Sequence, residues 1–263
     1  MSAHGRLGLE EQLRARRASW RKLLVPYVTG GLGDDWLASI EAVAAAGADA
    51  IEVGLPFSDP MIDGPVIQEA SVRALAAGAT PHTIIRALAG ADVGETPLAV
   101  MTYYNVVART GHRRMAALLA ECGISGVILP DLPADEVDPW KEEADAAGLE
   151  TVLLAAPTTP DERLKMIARK ASGFLYAVGV MGVTGERSSL ADSARTIAAR
   201  CKAVTDLPVL VGVGITTPEQ AVSVCEIADG VAVGSALVRR LLDGEGPEGA
   251  AKLVTSFREA LDG

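Results

Sequence analysis

Eight times along the chain, a short uninterrupted apolar run gives way to a stretch of helical periodicity. The runs fall at residues 23–29, 50–54, 97–102, 126–129, 150–154, 174–178, 209–213 and 231–233. Helical spacing follows at 36–46, 66–77, 81–88, 113–122, 135–147, 161–170, 190–203, 218–227 and 250–261. Continuous rather than alternating hydrophobicity marks strands buried on both faces, as in a parallel sheet covered by helices. An internal echo supports repetition: AAAGADAIEVG, AECGISGVILPD, DAAGLETVLLA and IADGVAVGSA each pair a helix end with the strand that follows. Eight β/α units predict a closed (β/α)8 barrel of the TIM type, with an N-terminal lead-in helix and a short extra helix after strand eight. An open doubly wound sheet would more often start with a GxGxxG turn, whereas the first turn here is Gly30-Gly31-Leu32-Gly33. Pro26 is awkward inside the first strand, because proline cannot donate to a sheet ladder.

A chain of 263 residues suits one such barrel, although length alone also permits two domains. No linker rich in Ser, Pro or Gly divides it, so residues 1–263 are read as one domain. Residues 1–21 then form a polar tail and lead-in helix, with Leu9, Leu13 and Trp20 as its apolar face. The formal charge of −10 argues against a nucleic-acid or anionic-membrane surface, which needs an excess of Lys and Arg. It leaves room for an anionic small ligand held at helix N-termini. Cys122, Cys201 and Cys225 are odd in number and lack metal-ligand spacing, as buried thiols in a reducing compartment would. No apolar run reaches the ~18 residues of a membrane span, and residues 1–21 lack an apolar signal core. A cytoplasmic protein is expected.

Barrel chemistry sits at the C-terminal ends of the strands, and few candidates lie there. His4, His82 and His112 are in the N-terminal tail or at helix starts, and no HxH or HExxH pairing occurs, so no metal site is expected. Lysine is missing from the strand ends, which disfavours a Schiff base. Acid–base work then falls to carboxylates and tyrosines. Glu52 lies within strand two and Asp63 in the loop that follows, alongside Asp59. Tyr103, Tyr104 and Asn105 follow strand three, Asp131 follows strand four, and Tyr176 is within strand six. Asp131 reads equally as a turn residue, and Tyr176 equally as a core ring. Glu52 is the sharpest candidate, because an ionisable group in a buried strand is costly unless it is paired or faces a cavity. At the opposite rim, Gly214 after strand seven and Gly234-Ser235 after strand eight lead into helix N-termini, with Ser235 at the cap. This is the common barrel site for a phosphate. Gly182, Thr184 and Gly185 after strand six complete the cradle.

The run Ile51 to Pro65, IEVGLPFSDPMIDGP, resembles the signature of the tryptophan synthase alpha subunit family. PYVTGG, YYN, PDLP, GVTG, GVGI and VGSALV follow in that family's order, so the resemblance extends from about Leu9 onward. It implies retro-aldol cleavage of indole-3-glycerol phosphate to indole and glyceraldehyde 3-phosphate, a carbon–carbon lyase reaction. By position, Glu52 is the general acid/base and Asp63 the acceptor for the indole N–H. Tyr27 and Met101 wall the indole pocket, while Asp131, Tyr176 and Thr184 contact substrate. Gly185, Gly214, Gly234 and Ser235 hold the phosphate. The resemblance also implies a beta-chain partner, an alpha2beta2 assembly, and no cofactor in this chain, with pyridoxal phosphate carried by the partner alone.

The chain departs from the family pattern at Gly30–Asp35 (GGLGDD, for a shorter turn), at Val180-Met181 (for Ser-Arg) and at Ile62 (for Ala). Three alternatives stay open: a free-standing lyase without a partner, another sugar-phosphate barrel such as an isomerase or decarboxylase, and a non-catalytic activator.

Overall fold

A computed structural model describes residues 8–179, 187–212 and 214–263, the side chains of 187–191 excepted. The chain begins with α1 (Leu9–Ala18), β1 (Leu23–Thr29), α2 (Trp36–Ala45), β2 (Ile51–Gly54), α3 (Pro65–Ala76), α4 (Pro81–Leu88) and β3 (Leu98–Met101). It continues through α5 (Tyr104–Thr110), α6 (His112–Glu121), β4 (Gly126–Ile128), α7 (Asp138–Ala146), β5 (Glu150–Ala155), α8 (Asp161–Lys170) and β6 (Leu175–Val178). It ends with α9 (Arg187–Lys202), β7 (Val209–Gly212), α10 (Pro218–Cys225), β8 (Gly230–Val233), α11 (Ser235–Leu242) and α12 (Gly246–Asp262). The strands pair in parallel in chain order, and β8 closes onto β1. This is the expected (β/α)8 barrel, and α11 is its short extra helix.

Alternate residues of each strand serve two cores. Leu24 and Val28 of β1 belong to the layer between strands and helices, whereas Leu23 and Val25 point into the barrel. The inward set is small on several strands, with Ala50, Ala99 and Ala232 among them. Helix α1 fills the resulting space from below. Its Leu9 and Leu13 are fully buried among these residues, each burial being worth about 1.5–3 kcal/mol. Gly126 and Gly173 make room for it, since a β-carbon at Gly126 would stand 2.7 Å from the Leu9 side chain. Glu150 fixes the start of α1 by accepting the Glu10 backbone N–H at 2.7 Å. Glu10 in turn accepts the Gly173 N–H at 3.1 Å.

Buried ion pairs tie the strand entrances to the helices. Asp49 is 1% exposed and accepts the Leu24 N–H at 2.9 Å. It also pairs with Arg21 at 3.0 Å and with Arg258 of α12 at 3.1 Å. Asp229 accepts the Val209 N–H at 2.9 Å and meets Arg17 and Lys202.

Four local features amend or qualify the expectations. Trp20 is not on the buried face of the lead-in helix. That helix stops at Ala18, and Trp20 takes a left-handed φ of 63° that turns its ring outward, 94% exposed. Helix α5 stands where the sequence pattern was silent, and the closing helix begins at Gly246 rather than at 250. Pro26 does lie in a closed strand. Its missing N–H is tolerated because the β1–β2 ladder begins only at Tyr27, and Asp49 serves the preceding Leu24 N–H.

Candidate active site

Glu52 points into the barrel near its C-terminal mouth, one pair above the start of β2, and is only 1% exposed. Its Oε1 has no hydrogen-bond partner among the described residues. Burial without a compensating cation disfavours the carboxylate and pushes its pKa to about 8. At neutral pH the group therefore holds a proton that it can give away.

Two tyrosines flank it. Tyr27 is the register partner of Glu52 on β1, and its ring lies across Gly54 at the end of β2. Any side chain at Gly54 would run into that ring, so the glycine exists for the tyrosine. Tyr176 of β6 leans in the same way over Gly212 of β7 and packs beside Phe174 with centroids 5.7 Å apart. Burial raises both hydroxyls above the ordinary phenol range. Glu52 raises both further, so all three groups feel one another. Thr29 Oγ1 is fully buried beside them, biasing the Tyr27 hydroxyl toward ionisation without reaching hydrogen-bond geometry.

Met101, Leu154 and Val178 are partly exposed on the inner face and form an apolar wall above the core. A cavity of about 390 Å³ opens along this wall, lined by Leu129, Pro130, Leu154, Thr159, Arg163 and Val178. It lies on the β4–β6 side and does not include Glu52.

The loop between β2 and α3 carries Asp63 back over the mouth, where the residue is half-buried. Burial raises its pKa, and the nearby Tyr103 hydroxyl opposes that rise. Tyr103, just after β3, stacks on Phe57 with centroids 4.8 Å apart and accepts the Ile62 backbone N–H at 3.1 Å. Its place after β3 singled it out in the sequence, but a contact across 41 positions leaves no local signal. Asp59 lies on the exposed part of the same loop, bonded to Ser58.

Asp131 stands at the rim, among the residues that line the cavity. It is exposed, and its carboxylate accepts the Tyr104 N–H at 2.8 Å, capping α5 from the neighbouring loop. At the opposite rim, Gly214 adopts a φ of 85° after β7, and α11 starts at the end of β8. The N-cap of α11 is Gly234, and Ser235 is the first helical residue rather than the cap, so the amides of that first turn face the mouth. Gly182, Thr184, Gly185 and the Val180-Met181 departure lie outside the described residues. Among the described residues no cluster of His, Cys, Asp or Glu has the arrangement of a metal site.

Fold and mouth together define a (β/α)8-barrel protein with a protonatable carboxylate at its catalytic end. Residues 13–261 match the family model described as tryptophan synthase alpha chain, and the chain belongs to that family, one of carbon–carbon lyases. It is 45% identical over 240 residues to the tryptophan synthase alpha chain of Streptomyces avermitilis, covering 90% of this chain and 87% of that one. The Thermobifida fusca alpha chain is 42% identical over 259 residues, 96% of each chain. Among solved structures, tryptophan synthase from M. tuberculosis superposes with a TM-score of 0.87 at 33% identity, covering 99% of this chain and 100% of that one. Tryptophan synthase subunit alpha from Legionella pneumophila gives 0.85 at 33% identity, covering 100% and 99%.

Proposed function

We propose that the barrel mouth cleaves indole-3-glycerol phosphate to indole and glyceraldehyde 3-phosphate. The observation that carries this reading is Glu52, whose carboxyl group is buried at the mouth with its pKa raised to about 8. Cleavage requires a proton at the ring carbon that bears the glycerol chain, and a neutral carboxylic acid facing an indole pocket can deliver it. The protonated ring is a cation whose N–H becomes strongly polarised. Asp63, ionised, accepts that N–H and lowers the barrier. The Glu52 carboxylate then takes the proton of the adjacent chain hydroxyl. The carbonyl of the aldehyde forms, the carbon–carbon bond breaks, and its electron pair restores the aromatic ring. Glu52 ends protonated, as it began.

Tyr27 and Met101 supply the walls against the ring, and Tyr176 steadies Glu52. Gly214, Gly234 and Ser235 receive the phosphate at the start of α11, where free amides and the helix dipole favour an anion. Thr184 and Gly185 are assigned to the same substrate by resemblance alone. Asp131, which caps α5 at the rim, is assigned to the same substrate by resemblance.

We further infer a tryptophan synthase beta chain as partner, in an alpha2beta2 assembly, receiving the indole. The pyridoxal phosphate of that second reaction belongs to the partner. The whole chain is read as one barrel domain preceded by its lead-in helix. Among the described residues no helix is long and apolar enough to cross a membrane. We place the protein in the cytoplasm.

Indole release from indole-3-glycerol phosphate, with and without the cognate beta chain, tests the reading for wild type and Glu52→Gln. Weak activity alone, strong stimulation by the partner and near loss in the variant are expected. No indole from the wild-type pair would remove the lyase assignment, and full speed without the partner would favour a free-standing lyase.

A further inference from the structure

A carboxylate that must meet a developing charge loses much of its effect if it wanders by an ångström. Asp63 sits on a loop with an open tip, where Met61 is 87% exposed and Ile62 49%. Something outside the loop has to hold it. Tyr103 meets the loop at two points from its place after β3. Its ring, 6% exposed, stacks on Phe57 at an interplanar angle of 24°, and its oxygen accepts the Ile62 N–H at 3.1 Å. Phe57 stands at the beginning of the loop, and Ile62 is the residue directly before Asp63. The two contacts therefore bracket the exposed tip. Having accepted from Ile62, the phenol still has its own hydrogen to donate.

We propose that Tyr103 is the positioning residue for Asp63, a two-point clasp, made of the Phe57 stack and the Ile62 N–H bond, that holds the loop over the mouth. This rests on the reading of Asp63 as the acceptor of the indole N–H. The hydroxyl favours the ionised form of Asp63 against the pull of burial, as that reading requires. Among the described residues Tyr27 also senses Asp63, and burial holds its hydroxyl protonated.

Tyr103→Phe keeps the ring stack and removes only the hydroxyl, so thermal unfolding near that of wild type is expected. Assayed with the beta chain, its kcat for indole release falls about ten-fold, while KM changes by less than about two-fold. The acidic limb of its kcat profile moves to higher pH, because Asp63 loses a donor to its charged form. In an Asp63→Asn background the same substitution has no further effect on kcat. An unmoved kcat and acidic limb, or an equal loss in both backgrounds, would overturn the proposal. Two readouts need no activity: exchange of the Ile62 amide should quicken in Tyr103→Phe, and a carboxyl NMR titration of Asp63 should shift upward. If the wild-type pair releases no indole, the proposed function fails, while the clasp still stands or falls on these two. No change in either sinks it.

Discussion

The ring of Tyr27 lies across Gly54, and its hydroxyl takes the space that a β-carbon at position 54 would need. The two residues sit on neighbouring strands, with Gly54 two positions beyond Glu52, the register partner of Tyr27, so this contact sets where a hydroxyl stands relative to the acid. Gly54→Ala must displace the ring. A stability loss of about 1–3 kcal/mol is expected, with a marked fall in indole release. Tyr27→Ala in the same chain should recover much of the stability and none of the activity. Thermal unfolding of the two single variants and the double variant checks this, and additive losses would contradict it.

Glu52 sets activity against stability. Its folded pKa of about 8 lies above its ordinary value of 4.5, so the folded state holds a proton that the unfolded chain has released. Between those values stability falls as pH rises, and above about 8 the loss is complete. Glu52→Gln removes this burden. It should melt higher than wild type at pH 8, with the gap closing as pH falls toward 5, and lose activity on the order of 10³-fold. Wild-type kcat should decline as pH rises through about 8, when the acid ionises. Calorimetry and pH–rate profiles measure the two effects separately.

At the floor of the barrel, Glu150 has its pKa pushed up to about 7, chiefly by burial, against the opposing effect of the Glu10 N–H. Glu10 and Glu11 add repulsion. The sign is as for Glu52: stability drains away between the ordinary carboxylate range and about 7 as pH rises. Hydrogen exchange in α1 should therefore be faster at pH 8 than at pH 5.5 after correction for intrinsic rates. Glu150→Gln, which keeps an oxygen for the Glu10 N–H, should flatten that dependence. Glu150→Ala removes the cap and should cost about 1 kcal/mol.

Gly234→Asp tests the phosphate assignment. A β-carbon at Gly234 would find ordinary space beside Tyr27, 3.6 Å away, so the fold should tolerate it. The carboxylate would nevertheless stand at the start of α11, where the phosphate is placed. KM for indole-3-glycerol phosphate should rise by at least about ten-fold, and an unchanged KM would remove the assignment.

What could be read beforehand follows from how local the cause is. Continuous apolar runs such as Leu23–Thr29 declare a doubly buried strand within a few residues, so the barrel was legible. A lone glutamate among Ile51, Val53 and Gly54 announced itself in the same way. Helix α5 did not, because YNVVART has adjacent β-branched residues, and its N-terminal cap comes from Asp131 across 27 positions. Tyr103 and Glu150 owe their roles to contacts 41 and 140 positions away, and Trp20 turned outward on a single dihedral. Ser235 was misplaced by one position, which is within the ambiguity of any helix end.

The first helix of the chain has a destination that is made late. Leu9 rests against Gly126 and Gly173, and Glu10 exchanges bonds with Glu150 and Gly173. During synthesis, α1 leaves the ribosome with its apolar side uncovered, and its seat is incomplete until residue 173 has emerged. At roughly 10 residues per second that wait is on the order of 15 seconds. Glu10, Glu11, Arg14, Arg16, Arg17 and Arg21 give this waiting segment a charged side that water solvates until its seat is built.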